Sequence, residues 1–335
     1  MEKFQNTVAR ISSDLKKIDE IILEFSVGKS PLIKEIANHL ISSGGKRIRP
    51  IILILAAKLC GSKANSGYNN LGAAVELIHT ATLLHDDVVD NSLVRRGKKT
   101  SNAIWDNKAS ILVGDYLFSI AFQLMVRSDD MRILDLLSKA SSTMADGEVM
   151  QLENSSDLQI TEEKYLEIIF GKTAVLFSAA AETGALLNKR ADLEILALRQ
   201  FGKNLGIIFQ IVDDMLDYSS KENVLGKDLG NDFFEGKVTL PIILTYQKAD
   251  EKDREFIADL FAKNLMATQK NQEDLAAILN LMEKYQGLAE SRNKALLYRD
   301  AALKNLEIFS DNSFCDLEAK QDLITILDYS LARIF

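Results

Sequence analysis

Apolar residues return at three- and four-residue intervals along almost the whole chain, as in Leu77, Ala81, Leu84 and Val88 and again in Leu205, Ile208, Ile211 and Met215. That spacing is the signature of an α-helix with one buried face. It predicts helices over 2–25, 30–43, 48–60, 68–91, 101–126, 130–154, 161–188, 192–218, 237–247, 251–263, 270–287, 289–308 and 316–333. Only 3 of the 335 residues are Pro, too few for the turns of an all-β fold, and 47% are apolar. Strand-period and helix-period segments do not alternate, which excludes a βαβ architecture. The expected fold class is all-α.

Length alone suggests about two domains by the usual size rule. The breaks at 44–45, 60–67, 91–100 and 219–236 are short, none has the composition of a disordered linker, and no repeat of solenoid length is present. A single helical-bundle domain over 1–335 is therefore expected, against the size rule. The 2 Cys residues cannot form a disulfide framework and point to a reducing, cytoplasmic setting. The longest apolar run, 51–57, is too short to span a bilayer, and the N-terminal segment has no apolar stretch behind its charges. A formal charge of −8 argues against a nucleic-acid partner.

Two segments carry chemistry. The first, HDDVVD at 85–90, ends an apolar-periodic helix with Asp86, Asp87 and Asp90; the second, VDDMLD at 212–217, repeats the DDxxD arrangement with Asp213, Asp214 and Asp217. At this Asp content one such motif is expected by chance roughly 0.2 times and two roughly 0.02 times. Like charges at i,i+4 cost a helix roughly 0.2–0.5 kcal/mol per pair, and acids near its C-terminus oppose the macrodipole. No Lys or Arg one turn away compensates either cluster, whereas a divalent cation would. Mg²⁺ takes a few carboxylate oxygens and completes its shell with water and substrate phosphate, so two facing triads suit a diphosphate. His79 precedes Asp86 by seven residues and Asp90 by eleven, placing the three within roughly 20° of one direction on the helix. Gln210 stands on the acidic side of its own helix.

Basic residues gather in glycine-containing stretches: Lys46, Arg47 and Arg49 after Gly44 and Gly45, Arg95 and Arg96 before Gly97, and Lys227 and Lys237 near Gly226, Gly230 and Gly236. Glycine lets backbone approach an oxyanion, and the cations add charge-assisted bonds. Other site classes fail. Gly171-Lys172-Thr173 lacks the upstream Gly of a P-loop, there is no GxGxxG, CxxC or HExxH, and 3 His residues are too few for a His-rich metal centre.

These segments, in order, carry a resemblance: GGKRIRP at 44–50, HDDVVD at 85–90, RRGKKT at 95–100, LVGDYLF at 112–118, GEVMQL at 147–152, GKTAVLF at 171–177, FQIVDDMLDY at 209–218 and GKDLGNDFFEGKVTLP at 226–241. The chain resembles the trans-type polyprenyl diphosphate synthases over nearly its whole length, in particular the octaprenyl-type enzymes that make quinone side chains. The resemblance implies an all-α isoprenoid-synthase bundle around a central cavity, usually a homodimer. It further implies an allylic diphosphate held by Mg²⁺, on the order of three ions per site, on Asp86, Asp87, Asp90, Asp213, Asp214 and Asp217. Arg95, Lys172 and Lys237 would bond that diphosphate, and Lys227 would join them. Isopentenyl diphosphate would take Lys46, Arg49, His79 and Arg96. The Lys172 and Thr173 carbonyls and Gln210 would stabilise the allylic cation, with diphosphate as the base. A terpene cyclase would usually lack the second DDxxD and the isopentenyl set, and a silent regulatory subunit would have degraded acidic motifs.

With the diphosphate at Asp86, a growing tail would run toward the helix N-terminus past Thr82, Ile78 and Val75, roughly 5–6 Å deeper per turn. Thr82 and Ala81 leave that path open where short-chain members of the family carry bulky aromatics. Phe118, Phe122, Met125 and Leu137 are the candidate floor, Met125 being favoured by similarity to octaprenyl-type enzymes. The expected product is an all-trans chain of roughly C35–C50 at that rise per turn. Its lipid-like tail implies transient contact with a membrane surface at release.

Overall fold

The computed structural model describes residues 2–26, 28–42, 44–63, 67–95, 97–219, 229–266, 270–310 and 315–333. Helices account for nearly all regular structure among them: α1 (Glu2–Arg10), α2 (Ser12–Phe25), α3 (Pro31–Ser42), α4 (Ile48–Leu59), α5 (Tyr68–Val89), α6 (Ser101–Ile104), α7 (Asn107–Val126), α8 (Met131–Glu153) and α9 (Glu162–Ile169). After a π-helical turn at Phe170–Ala174 follow α10 (Val175–Leu187), α11 (Asp192–Asp217), α12 (Asn231–Phe234), α13 (Leu240–Lys248), α14 (Glu251–Leu265), α15 (Gln272–Lys284), α16 (Gly287–Asn305) and α17 (Leu317–Ala332). The all-α expectation stands.

A helix apolar on all sides belongs in the centre of a bundle. Two meet that description: α4, buried from Pro50 through Ala57, and α10, buried from Leu176 through Leu186. They pack on each other, and α5, α8 and α11 pack around α10, so the ends of α5 and α11 reach the same interior space. One contiguous set of buried apolar side chains runs from Ile11 to Leu331.

The departures from the sequence-derived boundaries have local causes. The 2–25 helix breaks at Ile11, where the Ser12 hydroxyl donates to the Ala9 carbonyl at 2.8 Å and competes with the helical ladder. The 101–126 helix divides because Asp106 caps a new start, accepting from the Ala109 N–H at 2.7 Å. Within 91–100 lies a small antiparallel hairpin, Val94–Arg95 against Lys98–Lys99, with Gly97 at the positive φ of its turn. The apolar-run count also understated α7, which by length and composition could cross a membrane; in the fold its Val113, Leu117, Ile120, Ala121 and Leu124 are buried while Leu112 and Val126 are 67% and 62% exposed.

The π-helical turn interrupts the expected 161–188 helix, and a close backbone contact accompanies it. A Cβ on Gly147 of α8 would stand 2.4 Å from the Lys172 amide nitrogen, so α8 and the π turn meet main chain to main chain. Gly147→Ala is expected to cost about 1–3 kcal/mol by overpacking, read as a lowered thermal midpoint, and to reduce activity because Lys172 and Thr173 move with the turn.

Candidate active site

The ends of α5 and α11, the loop 44–47 before α4, and the π turn line one cavity of about 1320 Å³. Small-molecule sites usually enclose roughly 300–1,000 Å³, so this one has room for two substrates side by side. The helical-wheel argument holds for His79, Asp86 and Asp90, which all line it, as do Gln210, Asp213, Asp214 and Asp217. Asp87 is the exception. Its carboxylate, 3% exposed, is absent from the lining and accepts from Arg95 Nε at 2.8 Å. The first triad therefore presents two carboxylates to the cavity, not three.

The second cluster is held by hydrogen bonds. Asp214 Oδ2 accepts from the Tyr165 hydroxyl at 2.6 Å, and Oδ1 accepts from Gln210 Nε2 at 2.7 Å. Gln210 Oε1 in turn accepts from the Thr173 hydroxyl at 2.7 Å, which links the π turn to α11. Asp217 Oδ2 accepts from the Asp232 N–H at 2.9 Å, and Asp213 pairs with Arg333 at 2.7 Å.

Negative charge is crowded here. Burial, then the neighbouring Glu148, pushes Asp86 up to about 7 against the pull of Lys172 and Arg95. Burial, reinforced by Asp232, holds Asp214 well above the ordinary carboxylate range. Burial works against the charge of Lys237, but Asp90, Glu235 and Asp232 outweigh it and raise its pKa. The donor set is all oxygen, which fits a hard cation such as Mg²⁺. Among the described residues no three His, Cys, Asp or Glu side chains stand together as a ready-made metal cage.

The cations divide into two kinds. Around the acids they are already paired: Lys172 with Glu148 at 2.9 Å and with Gln151 Oε1 at 2.7 Å, Lys237 with Asp90 at 3.3 Å and Glu235 at 2.7 Å, and Arg95 with Asp87. In the 44–49 segment, the Lys46 ammonium lies 5.0 Å from the Tyr329 ring centroid and the Arg49 guanidinium 4.6 Å from that of Phe177. Arg47, at φ +48°, is committed to Glu76 at 2.7 Å and Asp19 at 3.2 Å, and all three cations line the cavity. Arg96 and Lys227 lie outside the described residues.

Of the chain-length residues, Thr82 lines the cavity; the other five do not. Ala81, Met125 and Leu137 are fully buried in the packed core, and the Phe118 and Phe122 rings meet at a tilt with centroids 5.6 Å apart, Phe122 being partly exposed at the surface. Deeper along α5, Ile78 and Val75 are likewise buried among closely packed side chains.

A model of the family described as polyprenyl synthetase matches residues 30–282. The chain belongs to that family. It is a trans-polyprenyl diphosphate synthase, a prenyltransferase, and its relatives cover it almost completely. It is 38% identical to the octaprenyl diphosphate synthase of Escherichia coli over 93% of this chain and 94% of that one. It is 37% identical to the geranyl-diphosphate-specific all-trans-nonaprenyl-diphosphate synthase of Rhodobacter capsulatus over 98% of both. A polyprenyl synthase from Caulobacter crescentus, solved with calcium and isoprenyl diphosphate, superposes with a TM-score of 0.91 at 38% identity, covering 99% of this chain and 98% of that one.

Sequence reading passed over several residues of this synthase's cavity. Glu148 and Gln151 sit inside the GEVMQL segment at i,i+3, a spacing that shares a helix face and could have flagged both. Tyr165 and Arg333 carry no local signal, since each reaches the acids through the fold.

The raised Asp86 yields a signed prediction. Its ordinary pKa is about 3.9 and its folded value is about 7. The folded chain therefore keeps a proton that the unfolded chain has lost, and ionisation destabilises the fold as pH rises through 7. Asp86→Asn should raise the thermal midpoint of the metal-free protein at pH 8 and change it little at pH 4, as differential scanning calorimetry will show.

Proposed function

We propose that this synthase extends an allylic diphosphate, farnesyl diphosphate as starter, with isopentenyl diphosphate units to an all-trans octaprenyl diphosphate for a quinone side chain. The observation that carries the reading is the convergence of two acid-bearing helix ends and a basic, glycine-preceded segment on one cavity large enough for both substrates. The octaprenyl and nonaprenyl relatives support a long product.

In this reading Asp86, Asp90, Asp213, Asp214 and Asp217 hold Mg²⁺, while Asp87 serves by fixing Arg95. Bound magnesium supplies charge neutralisation to the allylic diphosphate and eases its departure. Lys172, Lys237 and Arg95, now shared with carboxylates, turn to the diphosphate oxygens as that charge arrives, with Lys227 joining them. Lys46, Arg49, His79 and Arg96 hold isopentenyl diphosphate. The allylic C–O bond breaks, the isopentenyl double bond attacks the cationic carbon to form a C–C bond, and a proton passes to the released diphosphate. The π turn supports a role for the Lys172 and Thr173 carbonyls in facing the cation, because a widened turn does not follow the usual i→i+4 ladder. Thr173 and Asp214 fix the Gln210 amide beside it.

The exposed apolar side of α7, with Ile111, Leu112, Phe122 and Val126, supports a homodimer in which a second copy covers it. The chain is read as one domain over 1–335, acting in the cytoplasm and meeting a membrane surface transiently at product release.

Purified chain with Mg²⁺, farnesyl diphosphate and isopentenyl diphosphate is expected to give an octaprenyl product by mass spectrometry; a C15 or C20 end product would refute the long-chain reading. Asp86→Ala and Asp213→Ala should each lower kcat by about 10²–10³-fold, the usual cost of removing an electrostatic element of this kind. Thr82→Phe is expected to shorten the product. Unaltered length would show that the tail leaves the cavity elsewhere than past α5.

A further inference from the structure

Arg333 follows the last turn of α17, far in sequence from both acid clusters, yet its guanidinium lines the cavity. The side chain is 8% exposed, with Nη1 2.7 Å from Asp213 Oδ1 and the guanidinium 4.7 Å from the Phe209 ring centroid. The contact is a charge pair rather than an aligned hydrogen bond. Four residues earlier on the same helix, Tyr329 stacks on Phe4 at 4.0 Å and lies beneath the Lys46 ammonium. The helix is tied down by Asp322, which accepts from Thr7 Oγ1 at 2.7 Å and pairs with Arg10. The position of Arg333 is thus built by the fold and not by a loose tail.

A guanidinium is charged at every working pH. Beside Asp213 it supplies positive charge where the proposed reaction requires a metal ion. We propose that Arg333 is a built-in counter-ion for the second acid cluster, a positioning residue that neutralises Asp213 in the empty site and is displaced when metal and diphosphate enter together. The inference rests on the reading of Asp213 as a metal ligand. Its consequence is coupling: metal alone competes with a resident cation, whereas metal with diphosphate also gives the displaced guanidinium an anion nearby. Metal and substrate then bind as a pair.

The test measures Mn²⁺ binding to the full-length protein by electron paramagnetic resonance of the free ion, with and without inorganic pyrophosphate. Arg333→Met keeps an apolar stem over Phe209 and removes the charge; it should bind Mn²⁺ alone at least about threefold more tightly than the unsubstituted protein, the scale of a partly exposed ion pair. The tightening produced by pyrophosphate should shrink accordingly. Arg333→Lys should restore the original affinity, and a chain ending at Ala332 should behave like Arg333→Met, which keeps the test open if one variant folds poorly. Equal or weaker Mn²⁺ binding by both charge-removing variants overturns the proposal. Asp213→Asn separates the two readings: if it binds Mn²⁺ and pyrophosphate as well as the unsubstituted protein, the metal role of Asp213 falls and this inference with it. If it loses binding while Arg333→Met is unchanged, Arg333 alone is wrongly placed.

Discussion

The constraint on which the rest of the structure depends is the repulsion among carboxylates brought into one partly buried space. Asp86, Asp90, Asp213, Asp214 and Asp217 line the same cavity, with Glu148 and Asp232 beside them. Burial first, and then the neighbouring Glu148, raise Asp86 to about 7, so loss of water and repulsion act together there. The surrounding architecture answers it piecemeal. Tyr165 and Gln210 bond Asp214, Lys237 pairs with Asp90, Arg95 takes Asp87, and Arg333 reaches Asp213 from the far end of the chain. Apart from Gln210, which stands one turn from Asp214 on α11, and Arg95, eight residues from Asp87, these partners come from distant parts of the chain, so the acids are fully held only when the bundle is assembled.

Two environments for cations follow from this arrangement. Near the acids, Lys172 and Lys237 are in ion pairs, and an incoming anion must exchange for a carboxylate. Near α4, Lys46 and Arg49 rest over aromatic rings, whose faces attract cations by roughly 0.5–2 kcal/mol. In the proposed reaction the first environment would take the diphosphate that comes with metal, and the second the one that does not. That difference is a physical basis for telling apart two substrates that share the same head group.

Much of this could be read from residue order, because helical periodicity and DDxxD spacing are local properties. The helix positions, the shared face of His79, Asp86 and Asp90, and the acid face of α11 follow from 100° per residue alone. Asp87 and Asp214 hold the same place in the two motifs, yet only Asp214 lines the cavity; the contact of Asp87 with Arg95, not helix arithmetic, makes that difference. What residue order conceals is long-range. Nothing near Arg333 announces Asp213, 120 positions earlier by the two residue numbers. The close backbone approach of Gly147 and Gly171 beside the π turn, and the space beneath Thr82, likewise depend on how separate helices pack.

That glycine pair has a wider meaning. Where two helices touch through main chain, no side chain stands between them to absorb change, so the relation of Lys172 and Thr173 to the acid clusters resists drift in the surrounding sequence. Walls built from side chains have no such protection and can be remodelled one residue at a time. An enzyme with this division can keep its reaction constant while the size of what it makes varies among descendants.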